Sequence, residues 1–149
     1  MMKAQISLIH DYIEEIRLDS AREHFEYEHF PFIQNILNGF TMNEQEDCIK
    51  EIFSWSEFHL YTIADFLNTT GFQFKGALDS GYVFCTCFAK INNVGFLTYL
   101  GQDLEIQLKF CKRDLPFQEI MDNIYIVIAN TKDEEWIEHY LQIIENIIH

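Results

Sequence analysis

Apolar residues recur every three or four positions through the first seventy residues, as they do along one buried face of an α-helix. The first stripe consists of Ile6, Ile9, Ile13 and Ile16. Pro31 suits the first turn of a further helix. Two later spacings match the capping box that begins a helix, Thr41 with Glu44 and Ser54 with Glu57. The pattern therefore predicts helices over about 4–68.

From Gly71 onward the apolar residues alternate with polar ones at a period of two, which favours β-strands. The predicted strands cover 82–89, 94–100, 104–110 and 124–129, after a first one at Phe72 and Phe74. The intervening turn residues predict a mainly antiparallel sheet over about 72–129. An amphipathic helix over about 132–148 follows it, and we expect its stripe to enter the core: Trp136, Ile137, Tyr140, Leu141, Ile144, Ile147 and Ile148.

These elements give an α+β fold, in which the N-terminal helices and the C-terminal helix pack on the sheet. We expect one domain over 1–149, because the chain has a common single-domain length and lacks a linker. The strand at 82–89 is apolar on both faces, so something must cover each. We expect helices to cover one face. The other face would be covered by the C-terminal helix, by a second subunit or by a partner.

Charge limits the partners that such a domain can bind. The chain holds 24 Asp+Glu against 10 Lys+Arg, a formal net charge of -14. This excess repels nucleic acid and anionic membranes, and it attracts basic proteins. With 48% hydrophobic residues, the sequence is not that of a disordered acidic tail. We expect a cytoplasmic protein, since no apolar run is long enough to span a bilayer and the N-terminus lacks a signal-peptide core.

The residue spacings do not match a metal-binding or catalytic motif. On an α-helix, His24 and His29 would point about 140° apart, which prevents them from sharing a metal with Glu28. On a strand, Cys85 and Cys87 would share a face, but their spacing is unlike that of zinc ligands, so we expect buried reduced thiols. We predict no metal, no cofactor and no enzymatic activity, because no serine has an adjacent histidine and no phosphate-binding loop is present.

The clusters of carboxylates are the remaining signal. Residues 1–70 hold 13 Asp+Glu against 4 Lys+Arg, whereas residues 71–149 hold 11 against 6. The helical half is therefore the more negative, and we expect it to bind a basic protein partner. The predicted partner-binding residues are six carboxylates and two aromatic anchors: Glu23, Glu26, Glu28, Glu44, Glu46, Asp47, Trp55 and Tyr61.

In size, acidity and order of elements the chain resembles the small immunity proteins of bacterial toxin systems. The resemblance implies that the protein neutralises a cognate toxin by covering its cytotoxic domain, often a basic nuclease, with carboxylates in place of nucleic-acid phosphates. Electrostatic attraction would make the encounter fast.

Two alternatives remain at this stage. The chain also resembles type III secretion chaperones, which are small, acidic, cytoplasmic α/β dimers, although here a long helical region precedes the first strand. The doubly apolar strand is compatible with that dimer interface, so we expect a monomer or a homodimer. The third hypothesis is a small-ligand or enzyme domain with a pocket between the helices and the sheet.

Overall fold

The computed structural model describes residues 4–76, 78–111 and 113–149, and every regular element among them is helical. The predicted α+β fold is therefore wrong, because helices occupy the range assigned to the antiparallel sheet. The helices are α1 Ala4–Glu15, α2 Arg22–His24, α3 Phe30–Asn38, α4 Met42–Ile52, α5 Glu57–Thr70, α6 Ser80–Lys90, α7 Val94–Gly101, α8 Leu104–Phe110, α9 Phe117–Ala129 and α10 Glu134–Ile148. A single π-helical turn, Phe25–His29, joins α2 to α3.

The prediction of helices over about 4–68 is confirmed. The capping box predicted for Ser54 and Glu57 is wrong, because Ser56 precedes α5 and the Ser54 hydroxyl donates to the carbonyl of Glu51. The predicted stripe of α1 is buried at Ile6, Ile9 and Ile13. Pro31 lies in the first turn of α3. In the capping box of α4, the Thr41 hydroxyl accepts from the amide of Glu44, and the Glu44 carboxylate accepts from the amide of Thr41.

The centre of the molecule is formed by α5 and α6, which pack against each other. Along α6 the side chains from Val83 to Phe88 are all buried. A helix that is apolar on every side needs neighbours on every side, and α6 is covered by α5, α8 and α9. The two apolar faces that the sequence analysis assigned to a strand are thus covered within the chain.

Two buried amide side chains fix the connections between helices. The Asn123 amide on α9 donates to the carbonyl oxygens of Phe88 and Ile91, at 2.8 and 2.9 Å, and so satisfies acceptors at the end of α6. On α4, Gln45 donates to the carbonyl of Leu37 and accepts from the amide of Lys75 at 2.8 Å. The segment that follows α5 is therefore attached to the start of α4.

The C-terminal helix is present, and it faces the core with Tyr140, Ile143 and Ile144. Its predicted stripe was partly wrong, because Trp136, Leu141 and Ile148 are exposed. Among the described residues, the longest apolar helical stretches fall short of what a membrane crossing requires.

Candidate functional site

An open groove of about 1090 Å³ lies between α8 and the segment that links α5 to α6. Its apolar wall on the segment side comes from Phe74 and Leu78, and α8 supplies Ile106 and Phe110. These two α8 side chains are 52% and 65% exposed, although α8 has a buried face of its own at Leu104. The groove therefore presents apolar surface to solvent.

The geometry of a helix explains why α8 has two apolar faces. Residues two apart on a helix point about 160° away from each other, whereas residues four apart lie on nearly the same face. Leu104 and Leu108 consequently face the core. Ile106 and Phe110 face the opposite way, into the groove.

Charged groups border the apolar wall. Glu46 on α4 and Asp79 at the start of α6 line the groove, together with Arg113. The Asp79 carboxylate caps α6 by accepting from the amide of Tyr82 at 2.6 Å, and the Arg113 guanidinium lies over the ring of Tyr82, 4.4 Å from its centroid. The groove lining therefore carries two carboxylates and one guanidinium, which is held over an aromatic ring.

Of the three predicted binding residues on α4, Glu46 lies at this groove, whereas Glu44 and Asp47 are outside its lining. Glu46 lines it directly. Glu44 and Asp47 belong to the same stretch of α4, where the Glu44 carboxylate is engaged in the capping box.

The other predicted carboxylates lie around α2 and the π turn. Glu23, Glu26 and Glu28 are all exposed there. The Arg22 guanidinium donates to Glu26 at 3.3 Å and forms two hydrogen bonds, of 2.5 and 3.1 Å, with the buried carboxylate of Asp65. The paired Asp65 raises the pKa of Arg22 above its ordinary value. This surface is therefore anchored to α5 by an ion pair.

The two predicted aromatic anchors lie in different places. Tyr61 is half-buried and stacks on Phe96 of α7, with ring centroids 4.3 Å apart. It also meets Tyr99, whose ring lies beneath Arg22, so Tyr61 adjoins the surface around α2. Trp55 packs edge-on to His10, at 5.1 Å between ring centroids. The eight predicted residues therefore divide among several surfaces.

A polar network that the sequence analysis missed surrounds Asp19. His29 bonds to the Asp19 carboxylate at 2.8 Å, and His24 bonds to it at 2.9 Å. The Tyr12 hydroxyl lies 2.7 Å from the other ring nitrogen of His29. The hydrogen bond from His29 lowers the pKa of Asp19 from 3.8 to about 2, and Asp19 in turn raises the pKa of His24.

The divergence of about 140° predicted for His24 and His29 is thus wrong, because the π turn intervenes. Its hydrogen bonds run from residue i to i+5, so residues five apart fall nearly above one another. Both rings consequently reach the same carboxylate. Within the described part of the chain, no cluster of three or more His, Cys, Asp or Glu side chains is arranged to hold a metal.

The cysteines are unpaired thiols, and three of them are buried: Cys48, Cys85 and Cys87. The prediction that Cys85 and Cys87 share a strand face is wrong, because residues two apart on α6 diverge. Burial raises the pKa of Cys87 to about 12, which suppresses its thiolate. These side chains behave as small apolar core residues.

Comparison with protein-family models, with curated proteins and with solved structures finds no match for this chain.

Proposed function

We propose that this protein binds a basic protein through the groove, and that it acts as an immunity protein that neutralises a cognate bacterial toxin by covering its active domain. The observation that carries the proposal is that the exposed Ile106 and Phe110 line the same groove as the exposed carboxylate of Glu46. An apolar centre within a charged border is the arrangement of a protein-binding surface.

Charge determines which partner fits. The net charge is -14, and most of the 24 carboxylates are exposed. Such a surface attracts a basic domain at long range and repels nucleic acid and anionic lipid. Apolar side chains of the partner would then fill the groove and slow dissociation. The proposal includes a cytoplasmic location and no cofactor, for a monomer or a homodimer.

The resemblance to immunity proteins now rests on size and acidity, because the described part of the chain contains no sheet. The chaperone alternative loses its argument, since the doubly apolar strand is the buried helix α6. A pocket between helices and sheet is likewise absent from the described residues. The groove between α8 and the segment after α5 takes its place as the candidate binding site.

The test is titration calorimetry with the protein encoded by the reading frame immediately upstream. We expect a one-to-one complex that abolishes the toxic activity and weakens as salt is raised. Phe110→Ser and Glu46→Lys should each weaken binding by about tenfold or more, as expected for a central anchor and a complementary charge.

Matched controls lie outside the groove. Leu18 is 94% exposed and Glu145 lies on α10, so Leu18→Ser and Glu145→Lys should leave affinity nearly unchanged. Equal weakening by the control variants would show that binding depends on charge or hydrophobicity in general and not on the groove. Failure of a basic upstream product to bind, or an acidic product that does bind, would reject the proposal.

A further inference from the structure

A serine and a histidine meet at the N-terminus of α5, away from the groove. Ser56 precedes the helix and is exposed, whereas His59, one turn later, is only 1% exposed. The Ser56 hydroxyl oxygen lies 2.6 Å from Nδ1 of His59. This is the contact expected between a nucleophile and its general base.

The surroundings of His59 determine which nitrogen carries its proton. Nε2 lies 3.1 Å from the carbonyl oxygen of His10 and 3.5 Å from a carboxylate oxygen of Glu14. Both partners accept hydrogen bonds, so Nε2 carries the proton and Nδ1 accepts from the Ser56 hydroxyl. Stacking on the His10 ring, with 4.3 Å between ring centroids, holds the imidazole in this orientation.

Three features favour attack by the hydroxyl. Burial lowers the pKa of His59, so the ring is neutral at pH 7 and Nδ1 is free to accept the proton of the Ser56 hydroxyl. Glu14 faces the nitrogen that stays protonated and would stabilise the imidazolium formed on proton transfer. The Arg17 guanidinium lies 3.4 Å from the Ser56 oxygen, where it can stabilise negative charge on a substrate oxygen.

A shallow cavity of about 540 Å³ opens beside the hydroxyl. Phe58 and Phe96 form its walls, and Arg17, Ser56 and Glu57 complete its lining. Glu57 is held in place because it accepts from the backbone amides of Asn92 and Asn93. The cavity therefore offers an apolar surface for an acyl group next to a nucleophile and a cation.

We propose that Ser56 is a nucleophile, activated by His59, that hydrolyses esters of short apolar acids. The Ser56 oxygen attacks the ester carbonyl carbon while its proton moves to Nδ1 of His59. The bond to the alcohol then breaks, and the alcohol leaves with that proton. Water, deprotonated by the same nitrogen, attacks the acyl-serine; the bond to Ser56 breaks, the proton returns to its oxygen, and the carboxylic acid departs.

The test uses a fluorophosphonate probe, with the adduct located by peptide mass spectrometry, and hydrolysis of p-nitrophenyl butyrate. We expect labelling at Ser56 in the native protein and none in urea. Ser56→Ala should abolish labelling and hydrolysis. Ser54→Ala is the matched control and should change neither, because the Ser54 hydroxyl donates to the carbonyl of Glu51.

The second variant, His59→Gln, removes the general base and should slow labelling of Ser56 by about 100-fold or more. Since His59 is buried, circular dichroism checks that this variant folds. Glu14→Gln, at a half-exposed position, provides a further variant and should slow labelling several-fold. The proposal would be overturned if the adduct formed at another serine. It would also be overturned if Glu14→Gln and a folded His59→Gln were both labelled at the wild-type rate.

Discussion

At the scale of single residues, the π turn at Phe25–His29 brings two histidines that are five residues apart to one carboxylate. It adds one residue to a helical turn, which brings His24 and His29 onto the same side. Asp19 then accepts from both rings, and the Tyr12 hydroxyl completes a chain of hydrogen bonds that links α1 to the π turn. Such turns are frequent at functional sites, and here the turn places a charged network beside the exposed carboxylates of α2.

The network predicts a pH dependence for the Asp19→Asn variant. The depressed pKa of Asp19, about 2 against an ordinary 3.8, contributes stability above pH 4 that is lost as pH falls toward 2. The raised pKa of His24 contributes stability below its ordinary 6.5 that is lost as pH rises through the folded-state value. The variant should therefore be least stable, relative to the native protein, between about pH 4 and 6.5.

Urea unfolding followed by circular dichroism from pH 2.5 to 9 measures this difference. Glu119→Gln, at an exposed position on α9, is the control and should give a difference that changes little over the range. A deficit of the Asp19→Asn variant that stayed constant with pH would show that Asp19 acts through packing rather than through its charge.

At the scale of elements, the C-terminal half demonstrates how a helix can carry a strand-like pattern. In α8 the alternation of Leu104, Ile106, Leu108 and Phe110 arises from two functions, burial on one face and a groove wall on the other. In α6 nearly every position is buried, so its sequence has no periodicity to identify a helix. The period of two in the sequence therefore arises from the two apolar faces of α8 and the burial of α6, and not from β-strands.

The N-terminal half was predictable because its helices are amphipathic and bear local start signals. The stripe of α1 and the capping box of α4 depend on residues three or four apart, so a sequence alone reveals them. The groove was not predictable, since Glu46 and Phe110 are brought together by packing over a long separation. Ile106 and Phe110 were missed for the same reason, and of the six predicted carboxylates only Glu46 lines the groove.

Close packing of α6 and α8 gives a prediction at Gly81. A Cβ atom at this position would lie 2.6 Å from the carbonyl oxygen of Gln107, which is backbone and cannot turn aside. Gly81→Ala should therefore cost about 1–3 kcal/mol of unfolding free energy, and it should displace α8 and weaken binding at the groove. Urea midpoints and the calorimetric titration measure the two effects.

Gly39→Ala is the matched control. Gly39 has φ -78°, a right-handed conformation that alanine adopts readily, and the nearest atom to a new Cβ would be at 3.4 Å. This variant should leave stability unchanged or raise it by up to about 1 kcal/mol. A Gly81→Ala protein as stable as Gly39→Ala would contradict the close contact between α6 and α8.

At the scale of the whole molecule, the acidic surface has two opposing effects. It lowers the stability of the free protein, and it favours association with a basic partner. Carboxylates that lie close together on a folded chain repel one another and reduce its stability. The same carboxylates raise the rate of encounter with a basic partner. A net charge of -14 is larger in magnitude than the roughly 2–8 that is sufficient to keep a small domain in solution. Binding of a basic partner, as proposed above, would account for the excess.

Added salt should therefore change the stability of the free protein and its affinity for a basic partner in opposite directions. Raising sodium chloride from low to moderate concentration screens the repulsion, so the Tm of the free protein should rise, while the affinity for a basic partner should fall. Differential scanning calorimetry and titration calorimetry across one salt series measure both. A variant with four exposed carboxylates neutralised, Glu15, Glu119, Glu138 and Glu145 to Gln, should show a shallower rise in Tm. If Tm fell with salt in both proteins, attraction within the fold would outweigh repulsion, and partner binding would no longer explain the excess charge.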